Sequence, residues 1–294
     1  MEMEKANMIH SFPLPASVIL DLDVFQTNPW DLPGDSKEKR YFFCKRSKKN
    51  VNKCKGITGS GYWKAMEIGN CSGLWNLALY NNQFTGEIPF SITNASLMYS
   101  LDVEDNHLKG ELPSEIVANL FKLSYLHLSY NDMVGHDNNS NLVSFFTALK
   151  NCMILDELEL ADMDLGGRLS SSIGQLVAST SWSFDLSNNR LSGEIPKSLG
   201  DLVQLNFMFL NHNLLTGAIP LSLGQCMDIS KLDLSHNRLT GNIPPEISNL
   251  QEIRIFLNLS HNHLEGPLPI ELSKLENVQE IDLSSNNLTG SIFP

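Results

Sequence analysis

The chain has 294 residues, 33 acidic and 21 basic, for a formal net charge of −12; that balance argues against nucleic acid or an anionic membrane as partner. Its length would allow two globular domains, and no stretch reaches the roughly 18 consecutive apolar residues of a membrane span. The charge is uneven: residues 37–55 carry nine Lys/Arg against Glu38 alone, while from residue 57 onward 11 basic residues face 26 acidic ones, near −15.

Residues 1–56 show neither helical nor strand periodicity. The start, MEMEKANMIHSFPLPASVILDLDVF, makes a poor secretion signal, because it opens acidic and two prolines break its apolar run. The basic cluster KRYFFCKRSKKNVNKCK (39–55) suits a nuclear-import or phosphate-binding arm, or a solvated leader foreign to the rest of the fold. The leader is the favoured reading, so 1–56 is expected to be poorly ordered or degenerate. Residues 57–73 are expected to form a makeshift first cap.

From there one phrase recurs. FDLSNNRLSGEIP (184–196), MFLNHNLLTGAIP (208–220) and LDLSHNRLTGNIP (232–244) place Asn189, Asn213 and Asn237 24 residues apart. The same register holds upstream at Asn82, Asn106 and Asn131 and downstream at Asn262 and Asn286. One further copy, LELADMDLGGRL (158–169), has Met163 where asparagine belongs. A fixed period of this size marks a repeat array, here of about nine units over residues 57–294.

Each LxL core predicts a short strand whose leucines share one face. A single unit cannot bury them; stacked units can, each covering the next, at about 1.5–3 kcal/mol per side chain. The asparagines are predicted to form an inward ladder serving backbone groups that leave the strands unpaired. Met163 cannot do this, so an irregularity is expected there. The glycines (Gly193, Gly217, Gly241) permit a backbone that a Cβ would resist, and the following prolines leave little room for a long outer helix.

Between Asn131 and Met163 lie 32 residues, eight more than the period. The surplus opens polar and then turns apolar at helical spacing (Leu142, Phe145, Phe146, Leu149), predicting a loop and a short outer-face helix. The chain stops at Pro294 without a polar closing repeat, so the C-terminal cap is expected to be missing. Cys44, Cys54, Cys71, Cys152 and Cys226 make an odd set; Cys152 and Cys226, each in an Asn/Gln-Cys-Met turn, are expected to be buried thiols.

LxGxIP following LxxLxLxxNx resembles the plant-type leucine-rich repeat of receptor-like kinase and receptor-like protein extracellular domains. The resemblance covers roughly residues 65–294 and includes the longer unit at FFTALKNC (145–152). It implies an α/β solenoid, a right-handed horseshoe with a concave parallel sheet and short 3-10 or loop segments on the convex side. It also implies an extracellular or plasma-membrane setting, signalling or immune perception, and a start truncated relative to such proteins. Paired N-terminal cysteines are usual in that family; Cys44 and Cys54 could be a remnant, though the usual intervening tryptophan is absent.

In a repeat of this kind the x positions around LxL point out of the sheet. Trp75, Tyr80, Tyr99, Tyr125, Tyr130, Trp182, Phe207 and Phe209 would share one surface with Asp102, Glu104, His127, Glu157, Glu159 and Asp185. Aromatic anchors dominate binding hot spots, and a self-repelling acidic strip suits a cationic ligand. The expected partner is an extended peptide or basic protein loop across repeats one to six, with a co-receptor as a second partner. The column His212, His236 and His261 reads as surface residues of the template, and no metal centre or cofactor is expected. HExxH, GxSxG, GxxxxGK[ST] and kinase motifs are absent from the sequence, so a non-catalytic recognition module is expected. The alternative is an inhibitor of a cell-wall-degrading enzyme, similar to the polygalacturonase inhibitors that share this repeat. Among the glycosylation sequons, Asn94 and Asn138 lie in loops and are the better acceptors, while Asn70, Asn258 and Asn287 are less suited.

Overall fold

The computed structural model describes residues 73–176 and 182–292, together with the strand Phe42–Phe43. Apart from Phe42–Phe43, which lies within the 1–56 leader and pairs with Asn76–Ala78, expectations for that leader, for the cap over 57–72, and for Cys44, Cys54, Cys71 and Asn70 lie outside the described residues.

Ten parallel strands form one sheet. In spatial order they are Phe42–Phe43, Asn76–Ala78, Ser100–Asp102, Tyr125–His127, Glu157–Glu159, Trp182–Asp185, Leu205–Phe209, Lys231–Asp233, Phe256–Asn258 and Glu280–Asp282. Spatial order follows chain order throughout, as stacking of consecutive repeats requires. The strand leucines are buried to the last percent or two, and one apolar core runs the length of the array. The fold is the expected leucine-rich-repeat solenoid.

Opposite this sheet, five short strands stack from Ser192–Glu194 to Asn287–Thr289, and Thr85–Gly86 pairs with His107–Leu108. The chain then turns through proline into five-residue 3-10 helices, such as Lys197–Asp201 after Pro196 and Leu221–Gln225 after Pro220. The short convex segments follow from those prolines. Neighbouring 3-10 helices pack so closely that a Cβ on Gly200 would lie 2.2 Å from the carbonyl oxygen of Ser222. Gly217 holds φ at +77°, the conformation its place in the repeat demanded.

The asparagine ladder is present. Asn213, 5% exposed, donates from Nδ2 to the carbonyls of Leu186 (2.9 Å) and Leu210 (3.1 Å), and its Oδ1 accepts from the N–H of Leu191 at 2.9 Å. Each amide thus bonds both to its own repeat and to the one before. The residue preceding each ladder position is left-handed, with φ between 52° and 56° from Asn81 through Tyr130 to Ser285. The short bonds of the amide hold that turn against its cost.

At Met163 the irregularity falls on one side only. The strand Glu157–Glu159 keeps its register with Tyr125–His127. The opposite sheet, however, breaks between His107–Leu108 and Ser192–Glu194, where isolated bridges Glu111↔Val134, Asn141↔Arg168 and Arg168↔Ser192 take over. Asn139 ties the insertion to this repeat: its Oδ1 accepts from the N–H groups of Gly135 (2.8 Å) and Gly166 (2.9 Å), and Nδ2 donates to the Asp164 carbonyl at 2.8 Å. The predicted outer helix is Val143–Leu149, with Phe145, Phe146 and Leu149 buried.

Cys152 and Cys226 are buried free thiols whose Sγ atoms lie against carbonyls, Cys226 at 3.3 Å from Leu199 O. Burial pushes both thiols up to about 12.

Candidate ligand-binding face

The ten-stranded sheet brings most of the expected residues onto one surface. At its first strands the rings join directly. Trp75 stacks on Tyr99 (centroids 4.8 Å apart, planes at 10°), Tyr99 meets Tyr125 edge-on at 5.3 Å, and Tyr125 meets the His127 ring at 6.2 Å. Parallel pairing sets this spacing, since neighbouring strands lie about 4.8 Å apart. Tyr80 and Tyr130 stand where the chain leaves its strands and are the more exposed, at 53% and 45%.

Carboxylates follow in the middle strands. Asp102 pairs across the ladder with His127, and His127 with Glu159; Glu157 lies two residues before Glu159 on the same face. His127 Nδ1 is 3.8 Å from Asp102 Oδ2, and Nε2 is 3.3 Å from Glu157 Oε2. Both are ion-pair contacts, and neither has hydrogen-bond geometry: Nε2 is buried with no hydrogen-bond partner among the described residues. Burial alone would lower the imidazole, but Asp102, Glu157 and Glu159 outweigh it and raise it to about 10. Glu159 is pushed up to about 7, first by burial and then by Glu157, Glu104 and Asp185. Burial also raises Asp185, against the N–H of Ser187 that bonds it at 2.8 Å. Tyr125 reaches about 12 through burial, its Tyr99 neighbour, and Asp156 and Glu157; Tyr130 rises through burial and nearby carboxylates. Burial is the first cause at Glu159, Asp185, Tyr125 and Tyr130, and neighbouring negative charge adds to it; a bound cation would relieve the second.

A second aromatic patch lies beyond. Lys231 Nζ sits 4.8 Å from the Phe207 ring centroid, and Phe209 lies 6.3 Å from Phe256. Phe256 was not among the expected residues. The signal was available: it immediately precedes a strand leucine, as Tyr125 does.

Trp182 is a correction. It is 2% exposed and packs in the core against Phe184 at 5.7 Å. In most other repeats the residue three before the central strand position is apolar and buried, as Met98, Leu123, Leu155, Leu205 and Ile229 are. Here that position is Ser181, and Trp182 takes the core place. It pairs with Leu205, and the register shifts by one residue before Phe207 meets Ser183. Such a slip exchanges the inward and outward faces.

Two further groupings stand off this face. His212, His236 and His261 form an exposed stack with centroids 4.0 and 4.1 Å apart; crowding by the two flanking imidazoles, after burial, lowers His236. At the insertion, His136 bonds Ser114 Oγ through Nε2 at 2.6 Å and Glu111 through Nδ1. The Glu111 side chain is 54% exposed, and water screens the polarisation that a catalytic relay needs. The trio fastens the insertion to the preceding repeat.

The leucine-rich-repeat family model matches residues 182–202, 228–250, 255–275 and 277–294. A putative leucine-rich repeat receptor-like serine/threonine-protein kinase of Arabidopsis thaliana is 45% identical over 129 residues, covering 44% of this chain and 13% of that protein. Among solved structures, the plant peptide hormone receptor RGFR1 in complex with RGF2 superposes with a TM-score of 0.69 at 33% identity, over 77% of this chain and 34% of that one. The Arabidopsis receptor kinase HAESA, in complex with the peptide hormone IDA and the co-receptor SERK1, gives 0.64 at 32% identity over 74% and 35%.

The array resembles the ectodomains of plant leucine-rich-repeat receptor kinases. It spans about a third of the length of those two ectodomain chains. Residues 3–73 match a different family model, No apical meristem (NAM) protein. NAC domain-containing protein 83 of Arabidopsis thaliana is 53% identical over 60 residues, 20% of this chain and 24% of that protein. The basic surplus at 37–55 therefore falls within a segment of other family character than the receptor-like array.

Proposed function

We propose that the array is a non-catalytic recognition module that binds an extended peptide or basic protein loop on its concave face, with a co-receptor as second partner. The observation that carries this is the ring stack Trp75–Tyr99–Tyr125 running into the acidic strip around His127 and Glu159. Aromatic rings offer anchoring area and the carboxylates a complement to Lys or Arg. The peptide and co-receptor complexes of the similar ectodomains support the same reading, and we place the module outside the cell or at the plasma membrane, in signalling. Asn94 and Asn138 are both exposed, and we assign them as the glycan acceptors.

For residues 1–56 we retain the reading of a segment foreign to the array, which the NAM match supports. Nuclear accumulation of a fusion carrying 37–55 would show that the segment has a function of its own and is no mere solvated leader.

The binding proposal is tested by pull-down with the glycosylated chain from plant extract, followed by peptide identification and titration. Alanine at both Trp75 and Tyr99 should weaken the captured ligand by at least about 2 kcal/mol, some thirtyfold. Unchanged affinity would discard the concave face as the site.

A further inference from the structure

We propose that His127, Glu157 and Glu159 form a divalent transition-metal site of the zinc type on the concave face. The three come from two adjacent strands whose pairing places His127 directly opposite Glu159, with Glu157 two residues earlier on the same face. One ligand atom from each lies within 4.8 Å of the other two. The separation of Nε2 from Glu157 Oε2, 3.3 Å, is what a tetrahedral ion with bonds of about 2.0–2.2 Å imposes on two of its ligands.

A second observation points the same way. Nε2 is buried and makes no hydrogen bond among the described residues, resting on its ion-pair contact with Glu157 Oε2 at 3.3 Å. A buried ring nitrogen that makes no hydrogen bond is costly, and a metal bond would replace that contact and satisfy it. The other ring nitrogen, Nδ1, faces Asp102 Oδ2 at 3.8 Å, where metal-bound histidines usually keep an outer carboxylate. The edge of the Tyr125–His127 ring pair holds the imidazole at 87° and limits its rotation. One imidazole and two carboxylates suit zinc or manganese better than calcium, which prefers six to eight oxygens. Three protein ligands leave a position open toward the groove, so the ion could accept a donor from whatever lies there. The site stands on its own geometry and does not depend on the peptide reading.

The test is titration of the full chain with zinc chloride alone at pH 8 by calorimetry in two buffers, since zinc must displace the proton that the imidazole holds there, with cobalt absorption as a spectroscopic check. The His236→Ala background removes the exposed imidazole column as a competing site. One equivalent should bind in that background, with visible cobalt bands, and Glu157→Gln or Glu159→Gln should each weaken it by at least about tenfold. His127→Ala should abolish it, with a circular-dichroism melt confirming that the variant is folded. No binding in the His236→Ala background, or binding that survives Glu157→Gln and Glu159→Gln unchanged, overturns the proposal. Failure of the Trp75 and Tyr99 substitutions to affect a peptide would leave this result untouched.

Discussion

At the residue scale the ladder asparagines do most to hold a turn together. Asn213→Ala orphans the buried N–H of Leu191, while the carbonyls of Leu186 and Leu210 each keep one bond, from Asn189 and Asn237, so a loss of about 1–3 kcal/mol is expected in chemical unfolding. Asn286, whose bonds to Leu283 and Ser284 are only partly buried, should cost less than half as much when replaced. Equal losses would mean that the ladder does not act through burial. The thiols give a second expectation. With folded values near 12 against an ordinary 9.0, Cys152 and Cys226 stay protonated at pH 8. They should react with iodoacetamide only after unfolding, as a count against the Cys152→Ala/Cys226→Ala chain would show. Because their folded pKa is raised, any stability they confer is present below pH 9 and lost as pH climbs toward 12. Both roles were legible from the repeat itself, since an asparagine recurring between leucines faces inward and a cysteine in an apolar slot is buried. The left-handed turn before each asparagine was overlooked, although its signal was there: Asn, Asp or His fills that place in all but Tyr130 and Ser285, and these types favour positive φ.

At the element scale, Trp182 and Asn139 show where pattern reading stopped. Trp182 was placed on the surface by alternation alone; only the neighbouring strand and Ser181 in an apolar slot reveal that it fills the core. Trp182→Ala should therefore destabilise the array by about 3–5 kcal/mol and leave ligand affinity intact once folded, whereas Tyr99→Ala should do the reverse. A binding loss for Trp182→Ala at full folding would restore it to the recognition surface. Asn139 could not be foreseen as the amide that ties the insertion to the Met163 repeat, since it comes from a segment with no repeat register. Asn139→Ala should cost about 1–3 kcal/mol and raise hydrogen exchange at Gly135 and Gly166. Exchange unchanged at both would show that the insertion holds itself. The helix Val143–Leu149 was readable because its apolar spacing was complete.

At the scale of the whole molecule, one continuous core makes neighbouring turns interdependent, while the concave face stays half-open along its length. The horseshoe was legible because a single period held register over most of the chain. The distribution of the face was less so: the sequence suggested one aromatic strip, and the sheet divides it into a ring stack, an acidic middle and a separate phenylalanine patch around Phe209 and Phe256. That division favours a ligand long enough to span them, anchored by rings at both ends and by cationic groups between.

Selection from a randomised displayed-peptide library, run on the full chain and on the D102K/E104K/E159K variant, tests this most directly. Binders enriched in Lys and Arg, and weakened at least about tenfold by the charge reversals, are the predicted result. Binders indifferent to the reversals would contradict the account.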